Sequence, residues 1–243
     1  MRPRQSRYAR KQLYETRPKP KSVRRLVKFG LLIFMALLLT KLSLMHSTGH
    51  ADAAIKALPL QSVCLDPGHG GNDPGAQNGN LTEASVNLAV AKKVSSALLA
   101  KGYGVYTTRT TDKTLDNANR VNFCNAKRTT ILVSIHQNSY TDSGPDYSTA
   151  LQYKPEDEEL ANTLANAAGA ELALPITPPM QFEDGMLMRA KMPSIIIESL
   201  FISNDAEANA GDRVSQQAQG IVNGISTYLQ AHKPAQPVKS SKS

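Results

Sequence analysis

Cysteine is scarce in this sequence, with Cys64 and Cys124 the two representatives among 243 residues. They are far apart in the chain and lack the close spacing of a cysteine metal site. No serine or cysteine stands beside a base in the pattern of a covalent nucleophile, since Cys64 lies within a predicted strand and not at its end. The chain also has no internal repeat. These absences leave histidines and carboxylates as the candidates for chemistry.

Basic charge is missing from most of the chain, although the net charge is +8. Residues 1–28 contain 11 of the 28 basic residues and a single acid, Glu15. Residues 29–243 therefore carry 17 basic and 19 acidic side chains. A nucleic-acid-binding domain needs a concentrated basic surface, so the sequence after residue 28 is not predicted to bind nucleic acid.

One apolar stretch follows this basic head. It covers residues 29–40 and resumes after Lys41 at 42–45. A helix over 29–45 would be about 26 Å long, which is marginal for a hydrocarbon core of about 30 Å. Positive residues on one side predict that the head stays in the cytoplasm, and we therefore expect the remainder to be exported to a bacterial cell envelope.

Export leaves two outcomes open. Ala51-Asp52-Ala53 has the small-residue pattern of a signal-peptide cleavage site, which predicts a secreted domain. Retention of the helix would instead anchor the domain at the outer side of the cytoplasmic membrane. A buried core helix is a third interpretation, which the basic prefix disfavours. Export also permits a disulfide between the two cysteines, with two free buried thiols as an equal alternative.

Predicted strands and helices alternate in the exported part. Apolar residues recur at every fourth position from Val86 to Leu98 and predict an amphipathic helix over 84–100, with Thr82 as its N-cap. Further helices are predicted at 116–126, 155–172 and 214–229, and strands at 63–67, 103–108, 130–135, 149–153 and 194–201. The central strands are apolar on both faces. This pattern predicts an α/β fold with a largely parallel central sheet and helices on both faces.

The same pattern divides the chain into five segments. The order is a basic cytoplasmic head at 1–28, a signal or anchor helix at 29–45, a linker at 46–59, the folded domain at 60–232, and a tail at 233–243. The tail is rich in Lys, Pro and Ser, which predicts disorder.

Three apolar strands end in side chains that can do chemistry. The first runs into a turn of proline and glycines that presents His69, the second ends at His136, and the third at Glu198. Because active sites of open α/β sheets lie at the carboxyl ends of strands, we expect these groups to converge. Glu83, at the predicted start of the first helix, can fold back beside His69 through the loop 70–80.

Two imidazoles and one carboxylate are a frequent ligand set for catalytic zinc, with the fourth position left for water. The structural alternative is that Glu83 only favours the start of a helix. Glu198 would be costly in a core without a partner. It is therefore either a general base or the ion-pair partner of Arg109, Arg120 or Arg189.

Ordered motifs from about residue 61 to residue 230 resemble the zinc-dependent N-acetylmuramoyl-L-alanine amidases, the amidase-3 family. The matching blocks are Asp66-Pro67-Gly68-His69-Gly70-Gly71, Glu83-x-x-x-Asn87, Ser134-Ile135-His136-x-Asn138 and Ile197-Glu198-x-x-Phe201-Ile202-Ser203-Asn204. Thr108-Arg109, Arg120-x-x-x-x-Asn125 and, more loosely, Met186–Arg189 also match. Any one block would be weak evidence, but four in this order are specific.

The resemblance implies an α/β domain with a mixed, mostly parallel central sheet. It also implies an enzyme that hydrolyses the amide between N-acetylmuramic acid and L-alanine in peptidoglycan, and we expect this enzyme to act as a monomer. His69, Glu83 and His136 would bind Zn²⁺, and Glu198 would be the catalytic carboxylate. Asn87 and Asn138 lie close to these ligands in sequence, and we expect them to hold the ligands in position. The alternative for both asparagines is ordinary helix and turn chemistry.

Two positions depart from the family pattern. Gln137 stands where a small residue is usual, and Leu200 where glycine is common. Gln137 could narrow the substrate groove, and Leu200 could shift the end of the strand. These departures keep one alternative open, a non-catalytic envelope protein that binds peptidoglycan. A zinc peptidase cutting within the stem peptide is a further alternative, because it would use the same metal chemistry.

Overall fold

The computed structural model describes residues 33–41, 61–141, 146–204 and 211–233. The chain divides into two units, Met1–Pro59 and Leu60–Ser243. In the first unit, residues 33–41 form a helix with exposed apolar side chains. No helix within the described residues is long and apolar enough to cross a membrane. The predicted basic head, cleavage site and linker lie outside the described residues, as does the predicted tail after Lys233.

The second unit alternates strands and helices as the sequence predicts. In chain order the elements are β1 (Ser62–Pro67), β2 (Gln77–Asn78), β3 (Leu81–Thr82), α1 (Glu83–Ala100), β4 (Gly104–Thr107), α2 (Asn117–Lys127), β5 (Ile131–Asn138), β6 (Thr149–Gln152), α3 (Glu158–Leu172), β7 (Met180–Gln181), β8 (Ser194–Phe201) and α4 (Gly211–Ala231). Short 3₁₀ turns lie at Pro155–Asp157 and Leu187–Arg189.

The central sheet has six strands in the order β4-β1-β5-β8-β6-β7. Strands β4, β1, β5 and β8 run parallel, whereas β6 is antiparallel to β8 and β7 is parallel to β6. The small β2-β3 hairpin forms a separate ladder. The prediction of a mixed, mostly parallel sheet is confirmed.

Alternate residues of each strand point to opposite sides of the sheet. Both sides are apolar, and helices cover both. Val63 and Leu65 of β1 belong to the larger core, with the inner residues of α1, α3 and α4. Cys64 belongs to the smaller core, with Val121 of α2 and the 3₁₀ turn at Leu187. A sheet buried on both faces needs strands that are apolar throughout, which explains the continuous apolar runs.

Most element ends agree with the prediction, and the exceptions affect the site. Thr82 caps α1, with its side chain accepting a 3.2 Å hydrogen bond from Ser85 N. Strand β5 continues to Asn138 and not to residue 135, because its ladder with β8 extends past His136. His136 therefore lies within a strand. The stretch 174–181, for which the sequence predicts no helix or strand, contains the edge strand β7 at Met180–Gln181.

The two cysteines form a disulfide that joins β1 to α2. Both residues are fully buried. Of the two states that the sequence left open, the structure therefore has the bonded one. The bond holds α2 against the strand that leads into the His69 turn.

We expect removal of this cross-link to destabilise the domain. The bond closes a loop of 60 residues, for which loss of the cross-link typically costs about 2–4 kcal/mol. The measurement is the free energy of unfolding of the full-length Cys64→Ala/Cys124→Ala variant in denaturant. The reduced wild-type chain is the control, because it loses the bond but keeps both side chains. Equal unfolding midpoints for the variant and the oxidised wild type would contradict the prediction.

Candidate metal centre

The predicted site residues meet at the carboxyl edge of the parallel strands. His69 follows β1, and the ladder between β5 and β8 sets His136 directly beside Glu198. The loop after His69 folds back through the β2-β3 hairpin, and Glu83 N donates a 2.9 Å hydrogen bond to Ala76 O. This return brings the first residue of α1 to the ends of β1 and β5.

Glu83 occupies the centre of the cluster. Its Oε2 lies 3.1 Å from His69 Nε2, and its Oε1 lies 2.9 Å from His136 Nδ1. One ligand atom from each of the three residues falls within 4.8 Å of the others. Main-chain N–H groups of Ala76 and Gln137 donate to Oε2 and Oε1 at 3.1 and 3.0 Å. The carboxylate is thus fixed at both oxygens.

The charges in the cluster suit a cation. Burial alone would raise the pKa of the Glu83 carboxyl, but hydrogen bonds with His136 and then His69 outweigh it, and the pKa lies well below its usual range. The hydrogen bond with Glu83 in turn raises the pKa of His69 against the effect of burial. The cluster therefore holds an anionic carboxylate between two imidazoles and attracts positive charge to the space they share.

Asp73 is a site residue that sequence reasoning missed. Its Oδ2 lies 2.8 Å from Nδ1 of His69, so both ring nitrogens of His69 face carboxylate oxygens. Such a ring needs either a proton or a cation on each nitrogen. A carboxylate behind a ligating imidazole is the usual arrangement in zinc sites. The donor set of two imidazole nitrogens and one carboxylate therefore fits Zn²⁺.

Two glycines make room for the cluster. A Cβ at Gly68 would lie 2.1 Å from His136 Nε2, and a Cβ at Gly75 would lie 2.6 Å from Glu83 Oε2. Gly75 also has a φ of 65°, which side chains rarely adopt. Any larger residue at either position would displace a candidate ligand.

A buried ion pair fixes the turn that carries His69. Arg120 Nη1 donates to Asp66 Oδ1 at 2.9 Å and to Pro67 O at 2.8 Å, while Nη2 donates to His69 O at 2.7 Å. Asp66 also accepts hydrogen bonds from Thr108 and Ser134. The sequence indicates this ion pair only through Asp66, which is a carboxylate in an apolar strand. Glu198 stands in the same kind of position.

Glu198 is half-buried. Its main chain pairs with His136 and Thr149 in the sheet, and its side chain makes no hydrogen bond or ion pair with another described residue. Burial raises the pKa of its carboxyl above the ordinary value, and nearby His136 opposes this effect. The alternative of an arginine partner is wrong. Arg109 donates to main-chain oxygens of Pro67, Gly68 and Ala84, Arg120 pairs with Asp66, and Arg189 donates to Gly185 O.

The two asparagines near the ligands differ in their contacts. Asn87 is fully buried and directs Nδ2 toward Glu83 Oε1 at 3.5 Å and Gly68 O at 3.4 Å. Asn138 lines the groove, and its Oδ1 accepts a 2.8 Å bond from the neighbouring Ser139 N. Asn87 therefore has the contacts expected of a supporting residue, whereas Asn138 makes a turn contact.

The departures at 137 and 200 leave the cluster intact. Gln137 is buried and bonds Asn87. Leu200 lies where the β5-β8 ladder shifts register, between the pairs His136 with Glu198 and Asn138 with Phe201. One extra residue of β8 fits there as a bulge, which ends regular pairing just beyond Glu198.

An open groove of about 460 Å³ contains the cluster. It is lined by the His69, Glu83, His136 and Glu198 side chains together with apolar residues, namely Leu115, Leu151, Phe182, Met186 and Ile196. The groove therefore presents both polar and apolar surface.

Residues 63–227 match the sequence profile of the N-acetylmuramoyl-L-alanine amidase family, amidase-3. The chain belongs to this family. The matched region runs from β1 into α4, and it includes each residue of the cluster. The resemblance of the sequence motifs is thus confirmed at the level of the family.

The curated relatives differ in the share of their own length that this chain covers. It is 32% identical to the uncharacterized protein YqiI of Bacillus subtilis, over 73% of this chain and 90% of YqiI. It is 30% identical to the probable cell wall amidase LytH of Staphylococcus epidermidis, over 74% of this chain and 62% of LytH. The match to the N-acetylmuramoyl-L-alanine amidase LytC of B. subtilis has 29% identity and covers 69% of this chain but 35% of LytC.

Solved amidase structures have the same fold. An N-acetylmuramoyl-L-alanine amidase from Clostridium difficile superposes with a TM-score of 0.69 at 27% identity, covering 72% of this chain and 100% of that one. The catalytic domain of CwlV from Bacillus (Paenibacillus) polymyxa superposes with a TM-score of 0.67 at 28% identity, covering 70% and 99%.

We expect Asp73→Ala to weaken Zn²⁺ binding by about tenfold, because His69 loses the carboxylate that orients its ring. The measurement is competition between the full-length protein and a chelator for Zn²⁺. Asp112→Ala is the matched control, since Asp112 contacts the same turn through Gly71 N at 2.7 Å and not through an imidazole. Equal zinc affinities for the two variants would show that the Asp73 contact has no such role.

Proposed function

We propose that this protein is a zinc-dependent N-acetylmuramoyl-L-alanine amidase that hydrolyses the amide between N-acetylmuramic acid and L-alanine in peptidoglycan. The observation that carries the proposal is the arrangement of His69, Glu83 and His136 around one point, with the unpaired Glu198 beside His136. Family membership supports the substrate, and the names of LytH and LytC agree with it.

His69 Nε2, Glu83 and His136 Nδ1 would hold the zinc ion. When bound, zinc supplies Lewis acidity, which polarises a carbonyl oxygen and acidifies water. The protein contributes rigidity, because both Glu83 oxygens accept main-chain N–H bonds. Asp73 orients the His69 ring through Nδ1 and leaves Nε2 for the ion.

Glu198 is suited to move the proton. Its carboxylate has no competing donor among the described residues, and it faces the groove next to His136. It would accept a proton from the attacking water and deliver it to the leaving amide nitrogen of L-alanine. The raised pKa of its carboxyl favours the first step, because a stronger base takes the proton more readily.

We also propose that the enzyme works in the bacterial cell envelope. The substrate lies outside the cytoplasm, and the basic head before an apolar stretch has the order of an export signal. Secretion after cleavage near Ala53 and retention through the segment 29–45 are both consistent with this location. The domain would act on peptidoglycan as a monomer in either case.

A Glu198→Gln variant tests the chemistry directly. It keeps the size of the side chain but removes the base, and we expect amide hydrolysis to fall by about 10²–10⁴-fold while zinc binding persists. The measurement is mass spectrometry of purified peptidoglycan after digestion by the zinc-loaded full-length protein, scoring peptides that carry a free L-alanine amine. Glu183→Gln, an exposed carboxylate outside the groove lining, is the control.

The products distinguish this proposal from its alternatives. Loss of activity on chelation and recovery with Zn²⁺ would support the zinc amidase. New amines within the stem peptide would identify a peptidase. Zinc and peptidoglycan binding without any release would identify a binding protein and overturn the proposal.

A further inference from the structure

Gln137 links the strand that carries His136 to the helix that carries Glu83. Its side chain is 3% exposed, and Nε2 donates a 3.0 Å hydrogen bond to Asn87 Oδ1. Asn87 is fully buried on α1, one turn after Glu83. The two buried amides therefore form a short chain of hydrogen bonds that ends at the Glu83 carboxylate.

This bond favours the orientation of the Asn87 amide in which Nδ2 faces Glu83. With Oδ1 held by Gln137, Nδ2 points at Glu83 Oε1 and at Gly68 O, 3.5 and 3.4 Å away. If the amide rotated by half a turn, Oδ1 would face two oxygens that have no proton to donate, and Nδ2 would face the Nε2 donor of Gln137. Amides have one donor end and one acceptor end, so one orientation satisfies all the contacts.

We propose that Gln137 is a positioning residue for Glu83, acting through Asn87. The inference rests on the proposed zinc function. It adds that Gln137 orients Asn87, which supports the ligand Glu83. The main-chain N–H of Gln137 also bonds Glu83 Oε1 at 3.0 Å, which any residue except proline would provide. The side-chain donor is what glutamine adds at this position. Groups behind metal ligands hold them in the geometry for binding.

Gln137→Met tests the side-chain donor while keeping the volume and the main-chain bond. We expect the affinity for Zn²⁺ alone, measured by chelator competition with the full-length protein, to fall by about tenfold. The absorption spectrum of the Co²⁺-loaded protein should also change, because it reports ligand geometry. Gln137→Ala gives the same test if the methionine variant does not fold.

A double-mutant cycle with Asn87→Ala separates positioning from packing. If Gln137 acts through Asn87, Gln137→Met should have no further effect on zinc affinity in the Asn87→Ala background. Fully additive losses would overturn the inference. So would wild-type zinc affinity in both Gln137 variants.

Gln217→Met is the matched control. Gln217 is also a fully buried glutamine, on α4 and outside the groove lining. Its replacement should leave zinc affinity and the Co²⁺ spectrum unchanged. Failure of the proposed function would look different, because the wild type itself would then bind zinc no better than a His69→Ala variant.

Discussion

The Glu83 carboxylate is the group on which the organisation of the site depends. It is buried at the start of α1 and bonds one imidazole from the turn after β1 and another from β5. Burial of an anionic carboxylate costs free energy unless both of its oxygens have hydrogen-bond partners. Two imidazoles and two main-chain N–H groups are those partners. The fold must therefore return the chain from His69 to α1 over a short hairpin, and the glycines at 68 and 75 allow the close approach.

The rest of the domain fixes the elements that meet at this carboxylate. Arg120 of α2 ties the Asp66 carboxylate to the main chain of the His69 turn. The disulfide at Cys64 and Cys124 joins the same strand and helix, one turn further along α2. Removing one partner of a buried ion pair costs about 3–5 kcal/mol, because the other charge is left in the core. The turn is thus held from one side by α2 and from the other by the Glu83 cluster.

The fold and the grouping of the main site residues could be predicted from the sequence, whereas several contacts around the site could not. Periodicity and apolar runs were sufficient for the main strands, the helices and the grouping of His69, His136 and Glu198 at one edge. The placement of Glu83 beside them came from the loop 70–80, and the short edge strand β7 was not predicted. The role of Asp73 was not predictable, because it depends on the shape of a glycine-rich turn. The Gln137 bond was missed for a related reason, since it depends on the register between β5 and α1. The disulfide stayed undecided because the distance between two cysteines far apart in sequence is a property of the tertiary structure.

We propose that one zinc ion binds among His69, Glu83 and His136. Anomalous diffraction at the zinc absorption edge, from crystals grown with Zn²⁺, is the first test of this site. We expect a single strong peak per chain, bounded by His69 Nε2, Glu83 and His136 Nδ1. Absence of a peak there, or a zinc ion bound by other residues, would contradict it.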